Sequence, residues 1–291
     1  MKKISGAGTA IVTPFNDDKT VDYESLEKLV DFQISEGIDY LVVLGTTGET
    51  PTVTKEEKRL IVDTVIKKTK NRVPIVVGIG GNSTADIIHT FNSFDFEGVD
   101  GILSVCPYYN KPSQQGLYEH FKVLAKLTTI PIIHYNVPGR TSVNMKAETT
   151  LRLAHDFENI VAIKEASGKL DQVTTILKNR PDDFSVLSGD DAFTFPLLSL
   201  GGDGVISVIS NVFPAMFSKM VSYGINGDLN NAREVHFKLS DLMKALFLDG
   251  NPGGVKAALS MKGYIKNNLR LPLIPVKEEV YKKIEDELSK I

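Results

Sequence analysis

The sequence predicts a (β/α)8 barrel of the α/β class, followed by a three-helix extension. Three observations carry this. Eight short, β-rich apolar runs recur over the first two thirds of the chain. Most are continuously apolar rather than alternating, as parallel strands covered on both faces must be. Amphipathic helical segments separate them, about thirty residues per unit at first, and an open doubly wound sheet rarely needs so many equivalent units without a large insertion. No internal sequence repeat is visible, so the periodicity is one of pattern.

The strand-like runs are TAIVTP (9–14), YLVVLG (40–45), PIVVGIG (74–80), GILSVCP (101–107), PIIHYN (131–136), IVAIKEA (160–166), FSVLSG (184–189) and GVISVIS (204–210). Between them lie helix-like segments such as DYESLEKLVDFQISEG (22–37), TKEEKRLIVDTVIKKTK (54–70) and STADIIHTFNSFDFEG (83–98). Asp22, Thr54 and Ser83 are suited to cap these helices, and acidic residues fill the first turns. Gly37 and Gly98 stand where a helix should stop. After Val221 the strand signals cease. DLNNAREVHFKLSDLMKALFL, PGGVKAALSMKGYIKNN and VKEEVYKKIEDELSK predict three helices, which places a barrel at 1–225 and a helical domain at 226–291, divided near Asn226-Gly227.

The 291 residues are 42% hydrophobic, enough for a large core. A net charge of −3 with no Lys/Arg block argues against nucleic acid as a partner. The amino-terminal MKKISGAGTAIVTP has no apolar stretch suited to a signal peptide, and nothing approaches the ~18 apolar residues of a membrane span. Cys106 is the only cysteine, which excludes an intramolecular disulfide and cysteine metal clusters. A cytoplasmic protein is expected.

In a barrel of this kind, chemistry gathers where strands end and enter the following loops. That rule selects Gly45-Thr46-Thr47-Gly48-Glu49 after the second run and Tyr108-Tyr109 after the fourth. It selects Tyr135 and then Arg140 after the fifth, Lys164 in the sixth, and Gly189-Asp190 after the seventh. Lys164 is the unusual member, a charged residue inside the apolar run NIVAIKEASG. Strand alternation puts Ala162 and Lys164 on one face and Val161 and Ile163 on the other. The small residue marks the barrel side, so Lys164 is expected to project into the upper barrel. Ile160 and Ala162 then keep it dry, and Glu165 points away.

A lysine in a dry pocket has a use that no other side chain matches. Burial lowers its pKa, the neutral amine attacks a carbonyl, and the protonated imine serves as an electron sink. No metal is then needed, and the five histidines are scattered without ligand spacing. Tyr135, Tyr109 and Thr46 bear hydroxyls that can carry protons. The Thr46-Thr47-Gly48 turn can hold a carboxylate, and Arg140 offers a bidentate fork for a second one. Each residue alone has an ordinary structural explanation: a snorkelling lysine, a space-filling tyrosine, a tight turn, a solvated arginine. Asp190-Asp191 has the form of a helix N-terminus, and Cys106 of a core residue. Their coincidence on one rim carries the catalytic reading.

GTTGETPT (45–52), PYYNKPSQQGLYEHF (107–121), YNVPGRT (135–141), IKEASG (163–168), LSGDD (187–191) and GVISV (204–208) occur in the order and spacing of the dihydrodipicolinate synthase family. The chain resembles that family over essentially its whole length. The family belongs to the pyruvate-dependent class I aldolases, which also include N-acetylneuraminate lyase. The resemblance implies that pyruvate forms an imine with Lys164 and that the derived enamine adds to L-aspartate 4-semialdehyde, the first committed step of lysine and diaminopimelate synthesis. It implies a proton relay of Tyr135, Thr46 and Tyr109, with Tyr109 supplied by a neighbouring subunit. Thr46 and Thr47 would hold the pyruvate carboxylate, Gly189 and Ile206 would line the pocket, and Arg140 would receive the semialdehyde carboxylate. It also implies a homo-oligomer, a tetramer built as a dimer of dimers, and no cofactor or metal. Arg140 and the GTTGE motif favour the synthase over the lyase, which carries an aliphatic residue at that position.

Two departures stand out. Lysine-inhibited members place histidines where this chain has Lys55 and Lys58, while Asn82 and Tyr108 match the family's effector positions and Asp86 replaces a glutamate. Weak or absent inhibition by lysine is expected. NPGG (251–254) carries glycine where proline is usual, with no expected consequence for chemistry. A pyridoxal phosphate barrel, the rival enzyme class with a buried lysine, would need a phosphate cradle at strand C-termini. The only glycine-rich run near the last strands, Leu200 to Gly204, precedes a strand. A non-catalytic binding barrel would form no covalent adduct with pyruvate.

Overall fold

The computed structural model describes residues 4–291. The first half of the ring is β1 (Gly6–Ala10), α1 (Tyr23–Ser35), β2 (Tyr40–Val43), α2 (Lys55–Thr69), β3 (Ile75–Gly78), α3 (Thr84–Ser93), β4 (Gly101–Val105) and α4 (Gln114–Leu127). The second half is β5 (Ile132–Asn136), α5 (Pro138–Thr141), α6 (Ala147–Asp156), β6 (Ile160–Glu165), α7 (Leu170–Asn179), β7 (Ser185–Ser188), α8 (Asp191–Ser199), β8 (Gly204–Ser207) and α9 (Pro214–Ile225). The eight strands pair in chain order, all parallel, and β8 closes on β1. The expected barrel is present. Among the described residues, no helix is long and apolar enough to cross a membrane.

The caps behave as their chemistry requires. Asp22 accepts from the Ser25 N–H at 3.0 Å and Ser83 from that of Asp86 at 3.2 Å. Thr54 and Glu57 form a reciprocal capping box, and each such cap is worth about 1 kcal/mol. Strand lengths differ from the sequence expectation. The first begins at Gly6 rather than Thr9 and ends at Ala10, because Val12 N–H turns aside to the Asn211 side chain. The eighth ends at Ser207, where a 3₁₀ turn over Ile209–Asn211 takes over. The helix expected over 83–98 stops at Ser93, before the loop that reaches Gly98.

Two apolar layers result. Inside the ring, Ala10, Tyr40, Val42, Val76, Leu103, Ile133, Ala162, Leu187 and Ile206 fill the barrel. Outside it, the opposite strand faces meet the helices. Tyr40 crosses the interior to donate to the Val205 carbonyl at 2.8 Å. Gly8 makes room for it, since a Cβ there would stand 2.0 Å from the ring.

Strict alternation fails at the start of β6. Ile132 pairs with Ile160 but Ile133 pairs with Ala162, so Val161 is an extra residue in the ladder. Val161 consequently joins the inner cluster and Ile160 the outer one, which reverses the expected placement of both. Ala162 inside and Ile163 outside follow the expectation.

The extension comprises α10 (Leu229–Ala245), α11 (Gly253–Met261) and α12 (Glu278–Leu288). The middle helix is shorter than the expected 252–268. It closes at Lys262 and Gly263, whose N–H groups reach the Ala258 and Ser260 carbonyls. α10 packs on α8 and α9, and α12 on α10 and α11. Buried Lys256 of α11 pairs with buried Glu49 and donates to the Asn268 carbonyl at 2.9 Å. Arg270 forks onto Glu57 with two 2.6 Å bonds. Lys256 and Arg270 of the extension region therefore fasten the segment that follows β2.

Candidate active site

Lys164 lies near the end of β6, paired with Tyr135 of β5 on one side and Leu187 of β7 on the other. It is only 5% exposed. Its Nζ is 4.3 Å from the Tyr135 ring centroid. Burial is the main influence on the amine and lowers its pKa to about 7, with the Asp191 charge opposing and the Arg140 charge assisting. Near neutral pH about half of such amines are uncharged, against a negligible fraction for a solvated lysine.

Glycine is required beside this side chain. A Cβ on Gly189 would stand 3.1 Å from Lys164 Cγ, 3.2 Å from Cε and 2.7 Å from the Ala166 Cβ. Ile206 adds an apolar wall from β8.

Tyr135 is buried, and burial raises its hydroxyl pKa, while Arg140 and a hydrogen bond with Thr46 act the other way. Thr46 opens the 3₁₀ turn Thr46–Gly48. That turn is tied down from several sides: Thr13 Oγ1 donates to the Gly48 carbonyl at 2.7 Å, Thr50 Oγ1 to the Leu44 and Gly45 carbonyls at 2.5 and 2.9 Å, and Asn251 Nδ2 to Thr47 Oγ1 at 3.0 Å. Glu49 leaves it in the left-handed region, at φ 54°.

A cavity of about 280 Å³ opens here, lined by Thr46, Tyr108, Tyr135, Val137 and Arg140 among others. Lys164, Thr47, Gly189 and Ile206 are not on its wall; Lys164 adjoins it through the Tyr135 ring. A hydroxyl pair, an exposed guanidinium and a partly neutral amine thus converge. That set can form an imine, move protons and hold carboxylates.

Residues 3–291 match the Dihydrodipicolinate synthetase family. The chain belongs to that family. It is 54% identical over 288 residues to the 4-hydroxy-tetrahydrodipicolinate synthase of Parabacteroides distasonis, covering 99% of this chain and 97% of that one. It also superposes on the chloride-inhibited dihydrodipicolinate synthase of Acinetobacter baumannii complexed with pyruvate. That match has a TM-score of 0.96, 39% identity and 99% of each chain covered. The enzyme of Cyanidioschyzon merolae with lysine bound gives a TM-score of 0.95 at 39% identity, covering 98% of this chain and 97% of that one.

Among the residues that the dihydrodipicolinate synthetase resemblance singles out, Lys164, Tyr135, Thr46, Thr47, Arg140, Gly189 and Ile206 gather at this end of the barrel. Tyr109 does not join them within one chain. It is 86% exposed, held at φ 73°, and absent from the cavity wall, where its neighbour Tyr108 stands instead. A second cavity of about 280 Å³ adjoins the first and is lined by Lys58, Asn82, Asp86 and Tyr108. Lys55 is not on its wall, but its charge joins burial in lowering the Lys58 pKa.

Two residues escaped the sequence. Asp190 caps α8 as expected, accepting from Ala192 and Phe193 N–H. Asp191, however, is buried, accepts from Val208 and Ile209 N–H, and acts electrostatically on Lys164; burial raises its own pKa to about 6. Its Asp-Asp context reads only as a cap. Asn251 belongs to the NPGG segment that carried no expected consequence, yet it holds Thr47.

Proposed function

We propose that this 4-hydroxy-tetrahydrodipicolinate synthase uses Lys164 as its nucleophile. The observation that carries the assignment is the buried amine, destabilised as a cation and set against Tyr135. The neutral amine attacks the C2 carbonyl of pyruvate, water leaves, and a protonated imine forms. The hydroxyl relay takes a C3 proton, and the electron pair left behind moves into the protonated imine to give the enamine, with no metal required to hold that pair. The enamine carbon bonds to the aldehyde of L-aspartate 4-semialdehyde, whose oxygen takes a proton. The substrate's amino group then closes on the imine carbon and expels Lys164 as the free amine.

Tyr135 and Thr46, already in contact, pass these protons, with Tyr109 of the partner subunit completing the relay. Thr46 and Thr47 hold the pyruvate carboxylate, and the backbone at Gly189 and Ile206 borders the reacting carbons. Arg140, exposed on the cavity wall, receives the semialdehyde carboxylate, which favours this aldehyde over the sugar of N-acetylneuraminate lyase. An aromatic side chain held outward at Tyr109 supports self-association, with a tetrameric dimer of dimers as the expected form. The enzyme is read as cytoplasmic, with neither nucleic acid nor membrane as partner. The second cavity is the effector position, and Lys55 and Lys58 oppose a cationic effector there.

Borohydride reduction in the presence of pyruvate, followed by peptide mapping, tests the assignment. One added pyruvate-derived group is expected on Lys164. An adduct on another lysine, or none, would overturn it.

A further inference from the structure

Asn251 lies between α10 and α11, over two hundred residues from the turn that it touches. Asn251 and Thr47 are both buried, at 8% and 2% exposure. Nδ2 of Asn251 donates to Thr47 Oγ1, while its Oδ1 has no partner among the described residues. A buried amide left half satisfied is costly, so the half that is used has a purpose worth seeking.

The purpose follows from what a threonine hydroxyl can do. It has one proton and two lone pairs. Once Nδ2 occupies a lone pair, the proton is free to be donated in another direction. The segment around Asn251 is itself fixed: Asp249 accepts from the Lys277 N–H at 2.8 Å, and a Cβ on Gly254 would stand 2.2 Å from the Leu246 carbonyl oxygen. Lys256, five residues on, grips Glu49 at the end of the same turn.

We propose that Asn251 is a positioning residue for the condensation: its amide donates to Thr47 and thereby turns the Thr47 proton toward the pyruvate carboxylate. This rests on the reading that the Thr46-Thr47 turn holds that carboxylate. The extension is then part of substrate recognition without touching substrate.

A space-filling role would make Asn251→Asp, the same size, milder than Asn251→Ala. The positioning role predicts the reverse order. A carboxylate cannot donate to Thr47; it accepts the hydroxyl proton, turns it away from pyruvate and adds a negative charge nearby. Steady-state kinetics with both substrates, pyruvate-dependent borohydride trapping and thermal melting would be measured for N251A, N251D, T47V and the T47V/N251A double variant.

Loss of one such bond should raise the pyruvate KM about tenfold in N251A and in T47V, and more in N251D. The semialdehyde KM should stay unchanged, and the double variant should match T47V alone. If N251A does not fold, the isosteric N251D carries the comparison. A wild-type pyruvate KM in N251D, or N251A and T47V effects that multiply, would overturn the proposal. An unchanged pyruvate KM in T47V would instead remove the carboxylate reading beneath it.

Discussion

Lys164 and Tyr135 stand side by side on adjacent strands, the amine 4.3 Å from the ring centre. Backbone pairing, rather than a flexible loop, sets this separation. The aromatic face attracts the cationic form, yet burial outweighs it and leaves the amine with a pKa of about 7.

The first expectation concerns pH. The rate of imine trapping should climb through about pH 7 and level off, rather than rise toward 10.5, the value for an ordinary lysine. Stability follows the same group. Below pH 7 the folded protein carries a buried cation, an unfavourable contribution that fades as pH rises toward the unfolded value. Lys164→Met should therefore be more stable than wild type at pH 6, by a few kcal/mol, and the gap should close in alkali. Urea titrations at two pH values check this.

Gly189→Ala places a methyl group against Lys164 and Ala166. Overpacking of this kind costs about 1–3 kcal/mol. Here the lysine stem is what must move, so activity should fall by at least about tenfold, with borohydride trapping impaired in parallel. Full trapping with normal turnover would show that the stem tolerates displacement.

Lys256 and Glu49 form a pair with both side chains fully buried. Removing the amine in Lys256→Met leaves the carboxylate uncompensated and should cost about 3–5 kcal/mol in chemical denaturation. Adding Glu49→Gln to that variant should recover part of the loss. Equal stability of the single and double variants would contradict this.

Lysine should inhibit weakly or not at all. Lys58 lines the second cavity and Lys55 acts on it, and each close, exposed pair of like charges costs about 1 kcal/mol before salt screening. Lys55→His/Lys58→His should gain sensitivity. Titration of wild type with lysine gives the answer, and an inhibition constant below about 1 mM would contradict the charge argument.

Tyr109, at 86% exposure, suits insertion into a second copy. Lys164→Ala lacks the nucleophile and Tyr109→Phe a relay hydroxyl, whose loss costs about 10²–10⁴-fold, so each should be nearly inactive alone. Subunits mixed after dissociation should regain activity, because some sites then receive both native residues. No recovery from verified mixed oligomers would assign Tyr109 to its own chain.

Much of the barrel was legible because parallel strands buried on both faces leave long apolar runs and capped helices between them. Strand ends were not, because hydrophobicity continues past the last paired residue, as at Ile11 to Pro14. Val161 was misplaced because alternation presumes an unbroken ladder, and a single extra residue leaves no mark in composition. Lys164, Tyr135 and Arg140 were legible as polar groups at strand ends. Asp191 and Asn251 were not: one is hidden behind a capping neighbour, and the other reaches the site from the far end of the chain.

The contacts between residues 47–57 and 251–270 also bear on exchange between relatives. Thr47, Glu49 and Glu57 each have a counterpart across that divide, in Asn251, Lys256 and Arg270. A chimaera that joins one relative's barrel to another's tail inherits three half-contacts that evolved apart. Such hybrids should work only when both segments come from the same parent. The division expected near residue 226 is therefore a poor place to recombine the chain.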